Sequence, residues 1–229
     1  MKTGKKLVYT AIFGGRDKLY DPQYVDENCD YVCFTDNSTF TSNIWNICHM
    51  SPIFNDPVMS AKLYKILPQN FFSNYEQSAW IDGNMMIKSS LIDIFKFIDN
   101  APLACFDHNE STLDSVNCIY DEAERLLLKI KHGKHPTLDP DLILRQISLL
   151  EREHYPKQNG LISGNLLLRN HMNMDCINMM QMWWSAILNG SRRDELSFNY
   201  LAWKTGFSFN FVPGDFKNNE WFIFNKHIR

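Results

Sequence analysis

The stretch Gln77-Ser78-Ala79-Trp80-Ile81-Asp82-Gly83-Asn84-Met85 constrains the fold more than any other, because an apolar run stops abruptly at an acid, a glycine and an amide. A short apolar run bounded by turn residues fits a buried strand, and open α/β sheets gather ligand-binding groups where such strands end. Glycine lets the chain turn sharply at that point. Function is therefore to be sought around Asp82. Its carboxylate suits a hard divalent cation such as Mg²⁺ or Mn²⁺, and the Asn84 amide oxygen can add a neutral ligand nearby. The same three letters also make an ordinary turn after a strand, so the triplet alone leaves both options open.

The rest of the chain alternates between the two regular structures. Residues 7–13 and 31–35 read as buried strands closed by Gly14-Gly15 and by Asp36-Asn37-Ser38, and residues 44–48 as a third, shorter strand. Asp56-Pro57 supplies a cap and a first-turn proline for a helix that runs to Pro68. Beyond Trp80 the pattern predicts a short helix over 91–97, a strand over 102–106, and helices over 116–131 and from Asp139-Pro140 to about 153. Two short strands are expected around the Gly164-Asn165 bend, then helices over 174–188 and 194–203 and a strand over 207–212. Strands alternating with helices argue for an α/β layer architecture with a mostly parallel central sheet flanked by helices. The aromatic tail after Pro213-Gly214 is expected to pack on the body.

With 229 residues, 45% of them hydrophobic and 14% aromatic, the chain can bury a large core, and residues 1–229 are expected to form a single domain. The net charge of -3 gives no global basic field, which argues against nucleic-acid binding as the main role. The basic run Lys129-Ile130-Lys131-His132-Gly133-Lys134-His135 reads more simply as a solvated helix end and loop. No apolar stretch approaches the roughly 18 residues that a membrane span needs. Met1 to Lys6 is charged but leads into a strand-like segment rather than an export signal. Cys29, Cys33, Cys48, Cys105, Cys118 and Cys176 lack paired spacing and read as buried reduced thiols. A cytoplasmic protein is expected, able to reach the inner face of a membrane.

In a parallel sheet, Gly14-Gly15-Arg16-Asp17, Thr35-Asp36, Asp82-Gly83-Asn84 and Ser163-Gly164-Asn165 would share one edge, where one crevice could collect them. Plain surface turns explain the same residues equally well. Lys62 and Lys65 share a helix face, suited to phosphate or simply to solvent. Asp194 follows Arg192-Arg193 at a helix start; it is either a cap or an ionised group that orients a hydroxyl or takes its proton. His108 and His227 could each ligate a metal, though a lone histidine is more often structural. Neither a phosphate-binding GxxxxGK[ST] loop nor GxGxxG is present, which counts against kinases, GTPases and Rossmann dehydrogenases.

Taken in order, Tyr9-Thr10-Ala11-Ile12-Phe13-Gly14-Gly15-Arg16-Asp17-Lys18-Leu19, Asp30 to Asp36, Ala61-Lys62 to Lys65-Ile66-Leu67-Pro68, Trp80-Ile81-Asp82-Gly83-Asn84 and Arg193 to Phe198 resemble one family. It is the glycosyltransferase-like domain of the plant turgor-regulation-defect and mucilage-related proteins. The resemblance implies a GT-A type nucleotide-sugar fold, with Mn²⁺ or Mg²⁺ bridging an acidic motif and the donor diphosphate. It implies Ala11, Ile12 and Asp36 at the nucleoside, with Arg16 and Thr35 beside them and Lys62 and Lys65 near phosphate. Asp82 and Asn84 would stand in for the acidic motif, with His227 a further candidate ligand. Gly164, Asn165, Arg193 and Glu195 would lie on the acceptor side, and Asp194 would be the catalytic carboxylate. Glu195 stands where the family often has Gln, and Asn84 where many such enzymes have a second acid.

The activity so implied is transfer of a sugar from a nucleotide diphosphate to a glycan or lipid-linked glycan, in surface polysaccharide synthesis. A sugar nucleotidyltransferase is the first alternative, disfavoured because no Gly-rich basic loop follows the first strand. A non-catalytic nucleotide-sugar or glycan-binding module is the second.

Overall fold

The computed structural model describes residues 4–228. Its centre is a seven-stranded sheet of β1 (Lys6–Ile12), β2 (Cys29–Thr35), β3 (Asn46–His49), β4 (Ser78–Ile81), β6 (Leu103–Asp107), β7 (Ile162–Arg169) and β8 (Asn210–Val212). The spatial order is β3-β2-β1-β4-β7-β6-β8. Strands β1 to β4 run parallel, as do β6 and β8, while β7 lies antiparallel between β4 and β6. The sheet is therefore mixed, with one strand reversed near its middle. A second, two-stranded sheet pairs β5 (Met85–Ile87) with β9 (Phe222–Phe224), so the aromatic tail does pack on the body.

Side-chain alternation assigns each face of the sheet its own core. Leu7, Tyr9, Ala11 and Phe13 point toward α1 (Pro57–Ile66), α4 (Met174–Asn189) and α5 (Glu195–Thr205), where Tyr64, Met180, Trp183 and Phe198 meet them. Val8 and Ile12 face the other way, onto the 3₁₀ segment Asp93–Ile98 and the small sheet. A third cluster joins α2 (Ile119–Lys131) and α3 (Pro140–Arg152) to α5 through Ile119, Ile143, Leu150 and Leu196. Asp56 and Asp139 cap α1 and α3 as their sequence positions predict.

Two expectations change. Residues 162–169 form one continuous strand rather than two, with a bulge: Cys105 pairs with Leu167 and Phe106 with Ser163, which leaves 164–166 unmatched on the β6 side. The β4 side stays in register through Ile81 and Leu166, and Asp82 N donates to Asn165 O at 2.9 Å. The bulge thus absorbs the bend without ending the strand. The segment at 91–97 is a 3₁₀ helix shifted to Asp93–Ile98. Among the described residues no helix is long and apolar enough to cross a membrane. All six cysteines are free, and Cys48 alone is not fully buried.

Candidate functional site

The strand order reverses between β1 and β4: the chain continues from β1 toward β2 and β3 on one side, and β4 lies on the other. Such a switch point leaves a crevice beyond the carboxyl ends of the two strands. A cleft of about 270 Å³ opens there, between the β1 and β4 ends, α1, the start of α5 and the C-terminal segment. Its floor and walls carry Ile12, Lys62, Lys65, Asp82, Asp194 and Glu195.

Several local devices build it. Gly14 and Gly15 both take left-handed backbone, with φ of 66° and 60°, and a Cβ on Gly14 would lie 2.7 Å from Pro57 Cγ. The loop after β1 can therefore pass under the first turn of α1. Gly83 is needed for close approach rather than for an unusual φ, since a Cβ there would lie 2.6 Å from Ile12 Cγ1. Arg192 pairs with the α1 cap residue Asp56 and with Thr137, tying the start of α5 to the start of α1.

The chemistry concentrates on one ion cluster. Asp194 occupies the cap position of α5 but makes no capping hydrogen bond. Its carboxylate instead takes Lys62 Nζ at 2.6 Å on Oδ1 and Lys65 Nζ at 2.7 Å on Oδ2. The cap function proposed for this side chain on sequence grounds is thus displaced by a stronger ionic demand. Lys65 also reaches Asp82 Oδ1 at 3.5 Å, and Trp80 Nε1 donates to the same oxygen at 2.8 Å. Burial alone would disfavour the Lys65 ammonium, yet Asp194 and Asp82 outweigh it and its pKa is raised. Lys62 goes the other way, its pKa lowered chiefly by burial against the pull of Asp194. Burial works against ionised Asp194 too, but the two lysines hold its carboxyl well below the usual carboxylate range. Glu195 is pushed up to about 7, by burial first and then by Asp194, with Arg193 pulling the other way.

Of the residues singled out from sequence, Ala11, Ile12, Arg16, Lys62, Lys65, Asp82, Arg193, Asp194, Glu195 and His227 all line the cleft. Gly164 stands just behind it: a Cβ there would lie 3.1 Å from Lys65 Nζ and 3.4 Å from Asp194 Oδ2. Asn165 is buried next to it with both amide atoms unpartnered. Thr35 and Asp36 do not line the cleft. Asp36 accepts from Gly14 N at 3.1 Å, and the Thr35 hydroxyl accepts from Asn37 N at 3.0 Å, so both shape the loop beside it. Asn84 does not line the cleft; its Nδ2 donates to Asn225 O at 2.8 Å, and its buried Oδ1 has no hydrogen-bond partner. His108 is buried against Phe216, and it too lies outside the cleft.

Four more lining residues, Asp17, Trp80, His135 and Arg192, carry no assigned role in the sequence reading, although Asp17 is expected at the crevice edge and Arg192 beside Asp194. Asp17 takes the C-terminal His227, with Nδ1 and Oδ1 2.8 Å apart. His135 ends the basic run and has left-handed backbone, with φ of 56°; the run is exposed from Lys131 onward and half-buried at Lys129 and Ile130, and its last residue lines the cleft. The Gly133 and Pro136 flanking this region were the available signal of a turn. Among the described residues no group of three or more His, Cys, Asp or Glu stands close enough to hold a metal ion.

A mixed sheet flanked by helices, with paired lysines and carboxylates at its switch point, defines an α/β protein with a cleft lined by both cations and carboxylates. The particular family follows from the whole length of the chain. Residues 1–227 match the family described as TOD1/MUCI70, glycosyltransferase-like domain, and the chain belongs to that family. No curated protein matches it.

Proposed function

We propose that this protein is a metal-dependent glycosyltransferase with a GT-A-like single-domain fold, moving a sugar from a nucleotide diphosphate to a glycan or lipid-linked glycan in surface polysaccharide synthesis. The observation that carries the proposal is the cluster of Asp82, Lys65, Lys62 and Asp194 in one cleft at the β1–β4 switch point. Nucleotide ligands of open α/β sheets sit at such crevices.

The donor set fits a divalent cation held jointly with substrate. Asp82 is about one-third exposed and lines the cleft, and Trp80 and Lys65 both engage its Oδ1 rather than Oδ2. His227 lines the same cleft. Mg²⁺ and Mn²⁺ are commonly bound by one or two protein groups plus phosphate oxygens and water, so a closed protein cage is not required. When bound, the ion would supply Lewis-acid stabilisation of the leaving diphosphate. The charge balance argues for it as well. Lys62 and Lys65 are already matched by Asp194 and Asp82, and an arriving diphosphate needs further positive charge. Arg16 and Arg193 add some at the cleft wall.

The chain's own residues then divide the work. Ala11 and Ile12 line the nucleoside side, with Thr35 and Asp36 bracing the adjoining loop. Lys62 and Lys65 meet phosphate. Gly164, Asn165, Arg193 and Glu195 form the acceptor side. Asp194 acts as a fixed negative charge, because the two ammonium groups that keep it ionised also make it a weak proton acceptor. Asn84 anchors the segment that brings His227 into the cleft. The six free, mostly buried thiols support a cytoplasmic setting.

The test is Mn²⁺-dependent donor binding and transfer in wild type and Asp82→Ala. A loss of at least about 100-fold in transfer, or ~2.7 kcal/mol of transition-state stabilisation, is expected. Normal turnover by the variant would sink the assignment of Asp82. The lack of a three-ligand cluster among the described residues favours a second reading, a nucleotide-sugar or glycan-binding module; thermal stabilisation by donor without hydrolysis or transfer would identify it.

A further inference from the structure

Asp194 and Glu195 are adjacent in sequence, and both side chains enter the cleft wall while only 3% and 15% exposed. Their carboxyl groups lie within hydrogen-bonding reach of each other. Asp194 Oδ2 is 2.7 Å from Lys65 Nζ, and Glu195 Oε2 is 3.4 Å from Arg193 Nη2, yet neither oxygen receives a well-directed hydrogen bond. Ionised carboxylates only accept. Two of them facing each other in a buried site repel and leave lone pairs unserved, whereas one proton between them makes a charge-assisted O–H···O⁻ bond.

The surrounding charges decide which residue carries that proton. Asp194 has two close ammonium groups from α1, Lys62 and Lys65. Glu195 has one longer contact, and Arg193 divides itself between Glu195 and the buried Glu122 of α2, 3.4 Å from each. Glu122 in turn is paired with Arg125 at 2.5 Å, so the α2 side brings little net positive charge. Asp82 beyond Lys65 adds negative charge, and His135 stands across the cleft. The more poorly compensated oxygen takes the proton.

We infer that Glu195 is a positioning residue: protonated, it donates a hydrogen bond to the Asp194 carboxylate and holds that carboxylate against Lys62 and Lys65. The inference rests on the transferase reading only in its consequence for phosphate binding. Burial and Asp194 raise the Glu195 carboxyl to about 7, so the proton leaves around neutrality. Ionisation then puts a second negative charge beside Asp194 and opposes an incoming diphosphate. The native state keeps a proton that the unfolded chain releases from its ordinary 4.5 upward. Stability contributed by this group is therefore complete below that value and is lost as pH rises through about 7.

Glu195→Gln keeps a donor at the same place and cannot ionise, whereas Glu195→Ala removes the donor. Thermal unfolding and Mn²⁺-pyrophosphate binding are measured for wild type and both variants from pH 5.5 to 8.5, with ¹³C-carboxyl NMR of wild type labelled at glutamate. Wild type should lose stability and bind pyrophosphate roughly fivefold to tenfold more weakly at the alkaline end. Glu195→Gln should lack that alkaline loss and match wild type at acidic pH, Glu195→Ala should be impaired throughout, and one glutamate should titrate near 7. Superimposable profiles for wild type and Glu195→Gln overturn the inference, as does a Gln variant as damaged as the Ala variant. The NMR titration decides if a variant does not fold. Absence of pyrophosphate binding in every form would instead count against the transferase, while the stability profiles still decide the role of Glu195.

Discussion

Lys65 is gripped at both ends by buried charge, and the two grips differ in kind. At its backbone, Arg169 is fully buried with no carboxylate partner, and it donates to the Lys65 carbonyl at 2.7 Å and to the Tyr9 hydroxyl. Tyr9 itself donates to the same carbonyl at 3.2 Å. This carbonyl belongs to the last turn of α1, where free carbonyls and the helix dipole favour a cation. At its side chain, Lys65 meets Asp194 and Asp82 in an open cleft, where oxygens remain without aligned donors. Both keep an unpartnered buried atom, Arg169 Nε in the first and Asp194 Oδ2 in the second, but the first region is closed against solvent and the second lines a cleft. Position is fixed below and chemistry is offered above, by one residue serving both.

The sharpest way to break that contrast is Arg169→Ala. It should cost about 3 kcal/mol of folding stability, from the cavity and the lost charged hydrogen bonds, and any transferase activity should fall with the folded fraction at moderate temperature. Chemical denaturation read beside the activity of the folded protein checks this. A variant as stable as wild type would mean that the buried guanidinium is dispensable. Gly164→Ala should do the reverse. The added methyl would press on Lys65 Nζ at 3.1 Å and Asp194 Oδ2 at 3.4 Å, so the ammonium must shift. Stability should change by only about 1 kcal/mol, while phosphate affinity falls several-fold, as titration calorimetry would detect. If melting temperature drops and affinity does not, the bulge serves packing rather than the site.

Much of this was legible in the chain before any coordinates, for identifiable reasons. Helix α1 announced itself through Asp56-Pro57 and Pro68, and the strand end at Asp82 through an abrupt change from apolar to polar, because caps and buried strands are local features. What stayed hidden depends on contacts between distant segments. Nothing near Met85 or Phe222 indicates that β5 and β9 pair with each other, since short strands carry little local pattern. The bulge at 164–166 follows from β7 answering to two neighbours in different registers. Asp194 looked equally like a cap or a site residue, and only the arrival of Lys62 and Lys65 from α1, a segment far away in the sequence, separates the two. Asn84 was placed beside Asp82 by adjacency, but its side chain answers to residue 225.

That last contact yields the smallest effect and bears on the metal. Asn84 and Asn225 exchange hydrogen bonds through Asn225 N to Asn84 O at 2.9 Å and Asn84 Nδ2 to Asn225 O at 2.8 Å. Ile228 N then donates to Arg16 O at 3.1 Å, and His227 is held by Asp17, so the tail is laid across the cleft edge like a strap. Asn84→Ala removes the side-chain donor and should cost about 1 kcal/mol, the usual net worth of one hydrogen bond. If His227 helps to hold the cation, Mn²⁺-dependent donor affinity should weaken by a few-fold in this variant and not fall further when His227→Ala is added. Fully additive losses would show that Asn84 acts independently of His227, and the strap would then be packing alone.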